Sequence, residues 1–141
     1  MSLNLLAVQD DIVAHLRTLP QDVYETTAPD DSKLKFDTNG MILPYIVVEY
    51  ADLYPVINGG GIVSSRYDVK ESFIIVSCVG PTERSARQVA NVVRDKLTGY
   101  KPVDSGELMH AGGSVSYASQ DPKPNRYVAE MSFTFLTNTV W

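Results

Sequence analysis

Cysteine is nearly absent: Cys78 is the only one, beside two histidines and one tryptophan. A lone cysteine excludes an internal disulfide, and nothing in the pattern demands an oxidising compartment. His15 and His110 stand far apart, with no metal-ligand spacing around either, so no metal site is expected. There is no P-loop lysine motif, no G-x-G-x-x-G and no H-E-x-x-H, so no cofactor is expected. No apolar run approaches the ~20 residues that span a bilayer, and no membrane partner is expected. Met1-Ser2-Leu3-Asn4 carries no basic segment and soon meets Gln9, Asp10 and Asp11, which does not read as a secretory signal. Runs of Lys and Arg are missing too, and the net charge is −5. Sequence-specific nucleic-acid binding needs a basic stripe to neutralise phosphates. An acidic chain is still compatible with surrounding DNA without gripping it, because like charges repel.

What is present describes one folded domain over residues 1–141: 44% apolar and 21% charged residues, a globular balance. Leu5, Val8, Ile12 and Leu16 recur at helical spacing, which predicts a helix at about 4–18 that stops before Pro20. His15, four places after Asp11, reads as half of a solvated pair, and Asp10-Asp11 as solvated acids. Val23-Tyr24-Glu25-Thr26 suits a short strand, and Asp37-Thr38-Asn39-Gly40 a turn. The remainder of 20–40 has no assignable role. Pro44 to Tyr50 is a strand with Ile46 and Val48 on one face and Val47 and Glu49 on the other.

Val56-Ile57 and Ile62-Val63 flank Asn58-Gly59-Gly60-Gly61, the pattern of a long hairpin extension with a glycine-rich tip. Either the apolar arms meet a partner or they fold back on their own domain. Tyr67 to Val79 is the longest strand, and Phe73-Ile74-Ile75-Val76 is apolar on both faces. Such a strand wants two covers, a helix on one side and a neighbouring subunit on the other. Thr82 to Thr98 is the clearest helix: Ala86, Val89, Ala90, Val93 and Leu97 form its apolar stripe, Thr82 caps it, and Gly99 ends it. Residues 100–113 read as loop and 114–119 as a strand. In the final strand Tyr127, Ala129, Met131, Phe133 and Phe135 alternate with Arg126, Glu130, Ser132 and Thr134. The order predicts an α+β fold: a mainly antiparallel sheet of about four to five strands, two helices on one face, and a long β-hairpin extension.

One motif carries chemistry. Cys78, Arg84 and Ser85 make C-x5-R-S between a strand and a helix, the spacing of a cysteine-phosphatase phosphate loop. The loop is poor for that work. Pro81 removes an N–H donor, Glu83 places a carboxylate where a dianion would bind, and a single glycine limits the anion nest. The competing reading is a buried cysteine at a strand end, a Gly80-Pro81 corner and a helix cap. No catalytic residues are assigned, and a small cysteine phosphatase using Cys78 and Arg84 stands as the lesser alternative.

The element order resembles a known family. The opening helix, Leu43 to Tyr50 leading into a long hairpin, Val69 to Val76, the helix Thr82 to Leu97, Val115-Ser116-Tyr117 and Arg126 to Phe135 together look like the tail terminator proteins of siphovirus-type bacteriophages. These are also called minor tail or tail completion proteins. The resemblance covers most of the chain and is architectural, since the family has no catalytic motif. It implies a non-enzymatic homo-oligomer, a hexameric ring that caps the tail tube, stops its polymerisation and presents the head-joining surface. Its implied partners are the tail tube protein and a head–tail connector protein, with DNA passing through the ring without sequence-specific binding. Its implied location is the virion tail, after assembly in the host cytoplasm. A different head–tail connector or neck protein is the nearest alternative. Val56, Ile57, Ile62 and Val63, with Arg84, Arg87 and Arg94 on the exposed helix face, are the expected intersubunit contacts.

Overall fold

Leu5–Leu16 forms α1, Asp22–Glu25 β1, Tyr45–Tyr50 β2 and Tyr54–Pro55 β3. Tyr67–Gly80 forms β4, Glu83–Leu97 α2, Met109–His110 β5, Val115–Ala118 β6 and Tyr127–Val140 β7. The computed structural model describes residues 5–27, 33–50, 54–55, 67–102, 105–111, 115–118 and 126–140. The hairpin residues Val56, Ile57, Ile62 and Val63 lie outside these.

The sheet runs β1-β2-β4-β7-β5, with β3 pairing to β4 and β6 pairing to β7. Only the β1–β2 pair is parallel among these pairings. The architecture is therefore α+β with a mostly antiparallel sheet, as the element order predicts. The spine is the β4–β7 ladder, in register from Tyr67↔Val140 to Gly80↔Tyr127. Fourteen strand residues reach about 45 Å, roughly twice the length of a fifteen-residue helix, so α2 alone cannot cover the ladder.

Period two decides which side chains meet which layer. Ile46 and Val48 of β2, Ile74, Val76 and Cys78 of β4, and Ala129, Met131, Phe133 and Phe135 of β7 share one face. They form the main core with Val8, Ile12, Val13 and Leu16 of α1 and the whole predicted α2 stripe. Both helices thus pack on one side. Thr82 caps α2 with a capping box: its side-chain oxygen accepts from Ser85 N–H at 3.1 Å, and its own N–H donates to Ser85 Oγ at 3.1 Å. Gly99 takes a left-handed φ of 81° after the helix, which a glycine adopts without Cβ strain.

Two expectations change. Residues 100–113 are not all loop: Met109 and His110 pair with Thr134 and Phe133, and Ala111 N–H donates to Ser132 O at 2.8 Å. The pairing runs beside β7, and a two-residue strand leaves no sequence period to detect.

The second cover of the sheet is also partly the chain's own. Phe36 bridges Ile42 around the turn at 37–40, where Asp37 Oδ1 accepts from the N–H groups of Asn39 (2.8 Å) and Met41 (3.0 Å). This small hairpin buries Leu34 and Ile42 against Tyr45, Val47 and Val79 on the face opposite the helices. The segment 33–44 therefore has a structural role that its short apolar pieces did not reveal. It covers only the Val79 end, because Phe73 and Ile75 on the same face remain half-buried.

Candidate functional site

Cys78 points into the helix-side core and has no exposed surface. Burial without a cation pushes its thiol up to about 12, whereas a nucleophilic cysteine needs a lowered value. Arg84 is exposed on α2. Between them, Gly80 is pressed against the first turn of α2: a Cβ there would lie 2.5 Å from Ser85 Oγ and 2.9 Å from the Ala86 nitrogen. The turn is filled by its own cap, so the C-x5-R spacing does not assemble a thiolate–arginine phosphate site. Among the described residues no group of three or more His, Cys, Asp and Glu is placed to hold a metal ion.

Asp11 and His15 are also resolved differently from the solvated pair expected. The Tyr100 hydroxyl donates to Asp11 Oδ1 at 2.7 Å, and the His15 ring stacks on Tyr100 with centroids 3.7 Å apart and planes 6° apart. His15 Nε2 lies 3.1 Å from Lys96 O. The cluster ties α1 to the end of α2. The Asp11 hydrogen bond, then burial, raises the Tyr100 phenol.

The arginines expected to meet a neighbour do share a surface. Arg84, Arg87 and Arg94 are all exposed, because the apolar stripe turns the opposite side of α2 outward. Arg84, Arg87, Gln88 and Asn91 line a shallow recess of about 370 Å³. Arg87 Nε lies 3.7 Å from Glu83 Oε1, and an Arg94 N–H donates to Asn91 Oδ1 at 2.9 Å. These local contacts hold the guanidinium groups along the helix without burying them.

A second polar surface emerges on the far side of the sheet. In register across β2, β4 and β7 lie Val47, Ser77 and Glu130, then Glu49, Ile75 and Ser132. Glu49 and Glu130 are exposed, and Ser77 Oγ donates to Glu130 Oε1 at 3.5 Å. Alternation in the sequence assigns each carboxylate to this face. Only the register shows that Glu49 lies directly across from Ile75 and Glu130 diagonal to it.

With both helices on one face of a mixed, mostly antiparallel sheet, the molecule is an α+β domain built around one long ladder. No protein-family model matches the chain, and no curated protein matches it. Among solved structures it is similar to a chain of the virion of a native gene transfer agent particle, at 14% sequence identity and a TM-score of 0.62. The alignment covers 95% of this chain and 96% of that chain. At that identity the likeness is one of fold.

Proposed function

We propose that the chain is a non-enzymatic structural protein of a phage-like virion, and within that class a tail terminator. The observation that carries the reading is the end-to-end likeness in fold to a virion chain. The likeness takes in nearly the whole of both chains. The finer role rests on the family resemblance of the element order. In it, subunits close into a hexameric ring on the tail tube, end its polymerisation and offer the surface for the head–tail connector protein. Closure requires heterologous, head-to-tail contacts. Arg84, Arg87 and Arg94 are candidates for one side of that contact, and the hairpin residues Val56, Ile57, Ile62 and Val63 for another. Net charge of −5 suits a ring that DNA traverses without adhering. The protein would then reside in the virion tail after assembly in the host cytoplasm.

The test is electron microscopy of tails assembled without this protein. Tubes of uncontrolled length are expected. Tails of normal length that lack heads would overturn termination in favour of a connector role. The phosphatase alternative is disfavoured by the buried thiol, and turnover of a generic phosphomonoester that disappears in Cys78→Ser would reinstate it.

A further inference from the structure

The sheet and α2 present complementary charge on opposite sides of the subunit. Three of the chain's six arginines, Arg84, Arg87 and Arg94, project from the outward face of α2 in a protein of net charge −5. On the far face of the sheet Glu49 and Glu130 are exposed, neither in a salt bridge among the described residues; half-buried Ile75 lies directly across from Glu49 and diagonal to Glu130. The spacings correspond. Arg87 and Arg94 are seven residues apart on nearly the same side of the helix, a rise of about 10.5 Å. Glu49 and Glu130 are two strands apart with a two-residue offset, which places their Cα atoms roughly 12 Å apart.

We propose that the outward face of α2 in one copy of this chain docks on the open sheet face of the next, with its arginines against Glu49 and Glu130. The inference rests on the ring reading, whose unnamed sheet-side surface it supplies. The contact would bury an apolar strip of the sheet that the chain's own helices, both on the other face, leave open. The partner helix would provide the cover that the sequence of β4 calls for and that the 33–44 hairpin supplies only near Val79. The two surfaces lie on opposite sides of the subunit, so the contact is heterologous and propagates from copy to copy. Charge reversal on either side places like charges together, which opposes association.

The experiment uses two variants of the full chain, Glu49→Arg/Glu130→Arg and Arg87→Glu/Arg94→Glu, with oligomeric state followed by analytical ultracentrifugation. Circular dichroism confirms that each remains folded. Each variant alone should need at least about tenfold more protein to assemble than the wild type. An equimolar mixture should recover assembly of alternating copies, because the native junction and the charge-swapped junction are both complementary. The quadruple variant carrying both reversals should recover assembly. Wild-type assembly left unchanged by both double variants would overturn this interface and leave the ring standing. A wild type that stays monomeric at every concentration, even with tail tube protein, would overturn both. Loss of assembly in the double variants without recovery in the quadruple variant would assign the two faces to other partners.

Discussion

Single residues here are set by what surrounds them rather than by what motif they complete. Cys78 is the clearest case. Its thiol has an ordinary value of 9.0, and burial pushes it up to about 12. The folded state therefore keeps a proton that the unfolded state loses between those values. Stability from this group is full below about pH 9 and falls as pH rises toward 12. Tyr50, raised by burial and then by Glu25, acts in the same direction. Chemical denaturation at stepped alkaline pH should show this decline, shallower in Cys78→Ala than in the wild type. Native Cys78 should also resist a soluble alkylating reagent until denaturant is added. Tyr100 provides a second check. Tyr100→Phe removes the hydroxyl donated to Asp11 but keeps a ring for His15, so a loss of about 1 kcal/mol in unfolding free energy is expected.

At the scale of the element, the corner from β4 to α2 is the most constrained. The chain must turn from the buried strand end into a capped helix within Pro81 and Thr82, and Gly80 allows the first turn to close against the strand. Ser85 Oγ is able to rotate away from an added methyl, whereas the Ala86 backbone is not. Gly80→Ala should therefore destabilise by about 1–3 kcal/mol, measured by urea unfolding. Thr82→Ala, which removes only the cap, should cost about 1 kcal/mol. A larger effect at Gly80 than at Thr82 is the expected order.

At the scale of the whole molecule, the helices bury one side of the sheet from Ile74 to Cys78 and from Ala129 to Phe135, and the described residues of the other side are only partly covered. The 33–44 hairpin seals the Val79 end through Leu34 and Ile42. Ile42 is 1% exposed, and Ile42→Ala should cost about 2–4 kcal/mol for the lost contacts and the cavity, read from the denaturation midpoint. The same substitution should leave assembly above the stability threshold unchanged if the Ile75 region, rather than the hairpin, meets the neighbour. Raising ionic strength should weaken assembly, since the opposed charges lie at exposed surfaces and are screened within about 8–10 Å at moderate salt.

The local elements were legible in the sequence because their signals are local. The α2 stripe, its Thr82 cap and its Gly99 stop recur within a few residues, and the alternation of β7 assigns every side chain from Tyr127 to Phe135 to a face. The short pairing of Met109 and His110 was not legible, since two residues carry no period. Nor was the hairpin at 33–44, whose two short apolar pieces, Leu34 to Phe36 and Met41 to Leu43, are too short to show a period. The sequence by itself determined the two helices, the long strands and the sidedness of each, because backbone period and side-chain polarity act over one or two turns. Only the tertiary structure decided register and burial. Those placed Cys78 in the core away from Arg84, drew Asp11 and His15 to Tyr100, and set Glu49 and Glu130 around Ile75. Such pairings join residues distant along the chain, and their geometry follows from how layers pack rather than from any short run of sequence.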